Sequence, residues 1–584
     1  MREADSHFRA QRYADALRLT GQALRAVPSH PVVLHLHGLV LSRLGELEAA
    51  REALEAASRL APRDPQIANN LGNLLRKVGE AGSALAAYDA AIAAAPRFAP
   101  ARLHRAMVLD ELARYDEARA ELAALEALEP PSARSLMTLA SVERNSGNLR
   151  IAAARLDQVL ELDPAHGTAR HARARIAAEL GEPAAGALYR RAIEAVPDNR
   201  ELLTGYIAAA ETPELRQTAI ERLSAAVLAD PAWYEGHAAL SAALWEDGSG
   251  EAFTAGFEAA VARLPADPRL WHGYAEALAK ADEHAAAAEV CLRAERATGD
   301  QAFAAGAFSF LTASGRLDEA EGLLSRLDAG LLPPVALAKY RLRRGDPAAA
   351  ERLLAMEVER GPDDIGAWAL LGIAWHLLGD RRVDWLHGQE GLIGIEELPL
   401  EPDEVSAVAA RLRVLHESST VRINQSVRGG TQTQGNLFDR VEPEVALLRD
   451  SIRAAVERYR NALLPHDPAH PILRHRNSPF AFAGSWSVRL TAEGFHVQHI
   501  HPQGIVSAAS YWAVPEPSKS DPGAGWLELG GTPAYLALDL PPMRRIEPRV
   551  GRLILFPSTL HHGTTPAPAG ERMSVAFDVV PARS

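Results

Sequence analysis

At 584 residues the chain is too long for one core, and 47% hydrophobic with 23% charged residues is the composition of a globular protein of two or more domains. A net charge of −13 without a clustered Lys/Arg run argues against a nucleic-acid partner, and the single cysteine, Cys291, excludes an intramolecular disulfide or a cysteine-based zinc or iron–sulfur site. No stretch of about eighteen apolar residues occurs, so no membrane span is expected, and the polar start Met1-Arg2-Glu3-Ala4-Asp5 does not read as a secretory signal; the expected setting is the reducing cytoplasm.

The first two-thirds of the chain is periodic. Pro28, Pro62, Pro96, Pro130, Pro164, Pro197, Pro231 and Pro265 close successive Ala/Leu-rich segments at steps of 34 residues, one of them 33. Gly38, Gly72, Ala106 and Ala140 are small at one phase, where two helices would approach closely. Gly45, Gly79, Ala113, Gly147 and Gly181 mark the turn within each pair. This pattern resembles the tetratricopeptide repeat. Each unit would be two short amphipathic helices that bury their apolar faces only by stacking, producing a superhelix with a groove for a peptide or protein. After Pro265 the register loosens, although Trp271-His272-Gly273-Tyr274 and Trp368-Ala369-Leu370-Leu371-Gly372 keep the motif, giving about ten or eleven units ending near Asp380. The first unit, His7 to Pro28, looks truncated, as a capping repeat or an incomplete start would be.

From Arg381 the periodicity stops. Leu386–Pro402 suits a connector, Val405–His416 could form one helix, and an edge strand could begin near Val421. Arg428-Gly429-Gly430-Thr431-Gln432-Thr433-Gln434-Gly435 reads as a polar loop, either a lid or an ordinary solvated segment. Pro443 opens a helix with Leu448, Ile452, Ala455 and Tyr459 on one stripe, ending before Pro465. The expected domains are therefore a repeat array over 1–380, a connector with its lid loop over 381–442, and a β domain with a leading helix over 443–584.

Past Pro465 come short strands split by Gly/Pro/Asp clusters: Ser485–Leu490, Phe495–His501, Ile505–Val514, Trp526–Leu529, Arg544–Glu547, Arg552–Phe556 and Met573–Val579. Strands at this spacing suggest a sandwich or jelly roll. In an uninterrupted strand Phe495–His501, His499 and His501 share a face while His496 takes the other and is solvated. His561-His562 follow the strand ending Phe556-Pro557-Ser558, and Arg572 stands ten residues beyond His562. Two ligands at i and i+2, a distant third histidine and a nearby arginine are what a non-haem iron centre with an acidic co-substrate needs.

His499-x-His501, Ser507-Ala508-Ala509-Ser510-Tyr511-Trp512, Phe556-Pro557-Ser558, His562 and Arg572-x-Ser574 together resemble the 2-oxoglutarate/Fe(II) oxygenase family over roughly residues 470–584, about a fifth of the chain. The resemblance implies a double-stranded β-helix (jelly roll). It also implies Fe(II) held by His499, His501 and His562, and 2-oxoglutarate gripped through its far carboxylate by Arg572, with Ser574 adding a hydroxyl. Tyr511 and Ser507 would line the co-substrate pocket, Tyr511 equally serving as barrel packing. No catalytic group beyond the metal and co-substrate ligands is implied. The implied reaction couples O₂-dependent decarboxylation of 2-oxoglutarate to succinate with hydroxylation of a C–H bond, on a polypeptide or other substrate recruited by the repeats. The chain departs from the family where Asp or Glu usually stands, at His501. Three histidines would also suit zinc or a cupin-type enzyme. His561 competes with His562, and Asp578, Asp521 and Glu528 are alternative carboxylate ligands. The rival reading is a tetratricopeptide scaffold with a non-catalytic jelly-roll module, and Arg572 could then be a surface strand-end arginine.

Overall fold

The computed structural model describes the chain except for residues 183, 198, 211, 249, 329, 418, 420–422, 424, 434 and 583–584 and the side chains of 251 and 492. It divides into two compact units, Met1–Ala177 and Ala178–Ser584.

The first unit is built of antiparallel helix pairs. Pro31–Leu44 packs on Leu47–Leu60, Pro65–Lys77 on Ala81–Ala94, Ala99–Glu111 on Tyr115–Glu126, and Ala133–Asn145 on Leu149–Leu162. A shorter helix, Arg2–Arg9, precedes Tyr13–Ala26. Asp64 caps its helix by accepting from the backbone N–H groups of Gln66 (2.9 Å) and Ile67 (3.2 Å), and Pro65 sits where its missing N–H costs nothing. Close packing explains the small residues. A Cβ on Gly72 would lie 2.5 Å from the Tyr88 ring, and one on Gly38 would lie 2.7 Å from Leu54. The intra-pair turns are left-handed, with φ of +87° at Gly45, +84° at Gly79 and +85° at Gly147; Ala113 holds the same conformation at +56°. Pro28, Pro62, Pro96 and Pro164 each follow a helix by two residues.

In the second unit helices continue to Ile365–Leu378, and antiparallel strands follow. These are β1 (Gly394–Glu397), β2 (Val427–Gln432), β3 (Phe480–His496), β4 (Val506–Ala513), β5 (Leu527–Leu529), β6 (Arg544–Ile546), β7 (Arg552–Pro557), β8 (His562–Thr564) and β9 (Arg572–Pro581). They form a six-stranded sheet in the order β1-β7-β4-β9-β3-β2 and a three-stranded sheet in the order β6-β5-β8. The chain is thus a tetratricopeptide superhelix followed by an antiparallel domain of jelly-roll type.

Strand alternation sorts the large sheet into two faces. On β9, Met573, Val575, Phe577 and Val579 join a core with helices Pro402–Glu417 and Pro443–Ala462. The predicted stripe Leu448, Ile452, Ala455 and Tyr459 is buried there. The alternate residues Arg572, Ser574 and Ala576 face a cavity instead.

Three expectations differ from what is observed. The strands expected over Ser485–Leu490 and Phe495–His501 are one long β3 that stops at His496, so His499 and His501 follow it in irregular chain. Arg428–Gln432, read as loop, belongs to β2 and pairs with β3. Its glycines hide the strand, yet they permit it: a Cβ on Gly430 would sit 2.4 Å from the Arg489 carbonyl oxygen. Gly394–Glu397, within the expected connector, pairs with β7. The start suggested near Val421 lies outside the described residues.

Candidate metal and co-substrate site

The cavity between the sheets has a volume of about 420 Å³, and His499, His501, His562, Tyr511, Arg572 and Ser574 all line it. His499 is placed by an antiparallel bridge to His562: each backbone N–H donates to the other's carbonyl, at 3.0 and 2.9 Å. That bridge fastens the turn after β3 to β8 and brings the two rings to 4.2 Å, tilted by 49°. His501 closes the group, with ring centroids 4.9 Å from both partners. One potential ligand atom from each histidine lies within 4.8 Å of the others.

The outer nitrogens decide which ring nitrogen faces inward. His499 Nδ1 donates to the Val497 carbonyl (2.8 Å) and His562 Nδ1 to the Leu560 carbonyl (3.2 Å). A carbonyl can only accept, so both Nδ1 atoms carry the proton and both Nε2 atoms keep a lone pair. His501 Nδ1 donates to Asp578 Oδ1 at 2.8 Å, leaving its Nε2 only 3.1 Å from that of His499. With both rings in the Nδ1–H tautomer the two Nε2 lone pairs converge on one point, where either a shared proton or a metal cation would satisfy them. Burial holds the rings neutral: it lowers the pKa of His499 to about 3 and that of His562 well below the usual range, the neighbouring histidines adding to the effect.

Arg572 begins β9 and is 2% exposed. Its neighbour Glu571 points the other way, accepting from Arg413 Nε at 2.7 Å. The guanidinium lies 5.1 Å from the Tyr511 ring centroid, and its Nε and Nη1 have no hydrogen-bond partner. The Tyr511 hydroxyl is close enough to couple to it electrostatically but is not in hydrogen-bond geometry. Burial depresses the arginine pKa and raises that of Tyr511. A buried cation with two idle donors facing a cavity is costly alone and suited to an anion.

The remaining candidates are separated by position. Ser507 is fully buried behind the histidines; its hydroxyl donates to Asp578 Oδ1 (2.8 Å) and meets Ser558 Oγ (2.9 Å), and it does not line the cavity. His561 turns away to a small pocket beside His387 and Gly372. Glu528 is engaged by Arg545 (2.9 Å), and Asp521 caps a turn through the Gly523 N–H (3.0 Å). Among the described residues neither joins the converging group.

Sequence reasoning missed several cavity residues. His496 does not face solvent: its ring is parallel to that of His499 at 6.1 Å, and its Nδ1 pairs with Ser426 Oγ at 2.9 Å. The parity argument failed because β3 ends there and the chain turns. Trp486 presents its ring edge-on to His501 at 5.1 Å. Asp578, read as an alternative metal ligand, is outside the converging group and instead accepts from His501 Nδ1 at 2.8 Å, on the same β9 face as Arg572 and Ser574.

Residues 484–578 match the family described as "Putative 2OG-Fe(II) oxygenase", and residues 1–65, 35–97, 69–133 and 137–200 match the tetratricopeptide repeat family. The chain therefore contains tetratricopeptide repeats and a domain of that oxygenase family, whose described cofactors are Fe(II) and 2-oxoglutarate. No curated protein matches. Among solved structures, the type IV pilus biogenesis factor PilW is 22% identical, covering 35% of this chain and 94% of its own, with a TM-score of 0.34. The C-terminal part of a repeat protein from Cytophaga hutchinsonii is 17% identical, covering 44% and 98%, with a TM-score of 0.32. A thermophilic tetratricopeptide protein of Thermus thermophilus is 26% identical, covering 30% and 96%, with a TM-score of 0.27. Among the described residues no helix is long and apolar enough to cross a membrane.

Proposed function

We propose that residues 443–584 form an Fe(II)/2-oxoglutarate-dependent dioxygenase that hydroxylates a polypeptide, or another substrate, recruited by the repeat array over 1–380. The observation carrying this reading is the pairing, in one cavity, of three converging imidazoles with a buried arginine whose donors are idle. His499, His501 and His562 would hold the metal through Nε2, and a ferrous ion bound there supplies O₂ activation. Arg572 orients the co-substrate by donating Nε–H and Nη1–H to its far carboxylate, and a guanidinium fork matches that group better than an ammonium would. The Tyr511 ring supports the guanidinium, and Ser574 stands next on the same strand face. Trp486 and Phe556 give the cavity apolar walls that limit water. We assign a cytoplasmic setting, whose reducing conditions suit ferrous chemistry, and keep 381–442 as a connector that contributes Gln425, Ser426 and Gln432 to the cavity wall.

The scaffold reading is favoured by one observation, that no carboxylate joins the converging histidines among the described residues. Succinate release from 2-oxoglutarate by the full chain with Fe(II) and O₂, compared with His499→Ala, separates the two; equal release from both proteins defeats the enzyme. In the same protein, Arg572→Ala is expected to weaken 2-oxoglutarate binding by about 2–5 kcal/mol, as loss of a buried charged partner does, while Co(II) affinity is retained.

A further inference from the structure

Asp578 lies two turns of alternation beyond Ser574 on β9, on the cavity side, and is 7% exposed. Its Oδ1 receives the His501 Nδ1 proton at 2.8 Å and the Ser507 hydroxyl at 2.8 Å, and Ser507 is itself held by Ser558 at 2.9 Å. Gly504 leaves room for this arrangement, since a Cβ there would come within 3.0 Å of Asp578 Cβ. The other two histidines lean on neutral backbone carbonyls. His501 alone leans on a carboxylate.

We propose that Asp578 is a positioning residue that fixes His501 for metal binding and supplies, through the imidazole, the negative charge missing from the ligand set. The inference rests on the metal-binding reading above. With neutral histidines, a divalent cation, a dianionic 2-oxoglutarate and the Arg572 guanidinium, the formal charges leave one positive unit; the Asp578 carboxylate cancels it. An acidic ligand in place of His501 would leave the same balance. The carboxylate also raises the basicity of the imidazole it accepts from and selects the tautomer with Nε2 free. Ser507 and Ser558 hold Asp578 in turn, which gives Ser507 a supporting role behind the metal rather than a place on the co-substrate.

The test is Co(II) titration of the metal-free full chain, read by visible absorption and by the rise in Tm on metal addition. Variants are Asp578→Asn, which keeps the shape but can present an N–H to Nδ1, Ser507→Ala, and His499→Ala as the control that removes a ligand. The expected result is tight Co(II) binding by the unaltered protein, a 10–100-fold loss in Asp578→Asn with a changed Co(II) spectrum, and a smaller loss in Ser507→Ala. A purely structural Asp578 would lower the metal-free Tm and leave affinity and spectrum alone, which overturns the inference. Should Asp578→Asn fail to fold, Ser507→Ala decides, and unchanged affinity in it is equally fatal. Failure of the unaltered protein to bind Co(II), or binding unaffected by His499→Ala, sinks the metal reading itself and is distinct from either outcome.

Discussion

His104, buried in the repeats, and His499, half-buried in the β domain, are both histidines held neutral, with pKa values pushed down to about 4 and about 3, chiefly by loss of hydration. Their surroundings are opposite. His104 has both ring nitrogens engaged, Nδ1 donating to Asn69 Oδ1 at 2.8 Å and Nε2 accepting from Arg134 at 2.9 Å. His499 has Nδ1 donating to a backbone carbonyl and Nε2 turned to the Nε2 of a second histidine, His501, 3.1 Å away. A displaced pKa therefore does not mark the candidate site in this protein; the convergence of three imidazole nitrogens on one point does.

The comparison can be broken most sharply by removing each ring. His499→Ala is expected to cost more metal affinity than the roughly 10–100-fold typical of an outer hydrogen-bond partner, with helical circular dichroism intact. His104→Ala is expected to leave Co(II) binding unchanged and to cost about 1–3 kcal/mol of stability, because it leaves the buried Asn69 Oδ1 without its donor. Equal metal loss in both proteins would erase the distinction.

Acid sharpens it. The folded-state pKa of His104 lies below its ordinary value, so the unfolded chain binds the proton first. Its contribution to stability is complete above about pH 6.5 and falls as pH drops toward about 4, by at most about 1.4 kcal/mol per pH unit. Thermal melts across that window should show a shallower slope in His104→Gln than in the unaltered chain.

The smallest effect concerns the turns. Ala113 occupies with φ +56° the position held by Gly45, Gly79 and Gly147 in neighbouring pairs. A left-handed alanine costs about 1–2 kcal/mol, partly offset by the greater unfolded-state freedom of glycine. Ala113→Gly should stabilise the repeats by up to about 1 kcal/mol, read as a Tm rise of a few degrees or less; a fall in Tm would contradict the strain.

What could be read from the chain follows the same divide. The repeats announce themselves because each contact recurs at a fixed step, so Gly72 against Tyr88 is a local event repeated. On β9, period-2 alternation placed Arg572 and Ser574 on one face. What escaped depends on distant partners. β2 has no apolar alternation and exists because β3 offers an edge, while the inward turn of His496 follows from where β3 stops. Ser507 was read from the right strand, but its hydroxyl is taken up by its cross-strand neighbour Asp578 and by Ser558 rather than turned to the cavity.

One strand carries both Arg572 and the brace of His501, six residues apart, a span of roughly 20 Å at about 3.3 Å per residue. Under the proposed function β9 is a rigid gauge, anchored along its opposite face by Met573, Val575, Phe577 and Val579. The reach of the guanidinium toward the histidines is then set by the strand register together with the Arg572 rotamer resting over Tyr511. A change at Tyr511 would loosen the length discrimination between dicarboxylic acids without touching any group that holds the metal.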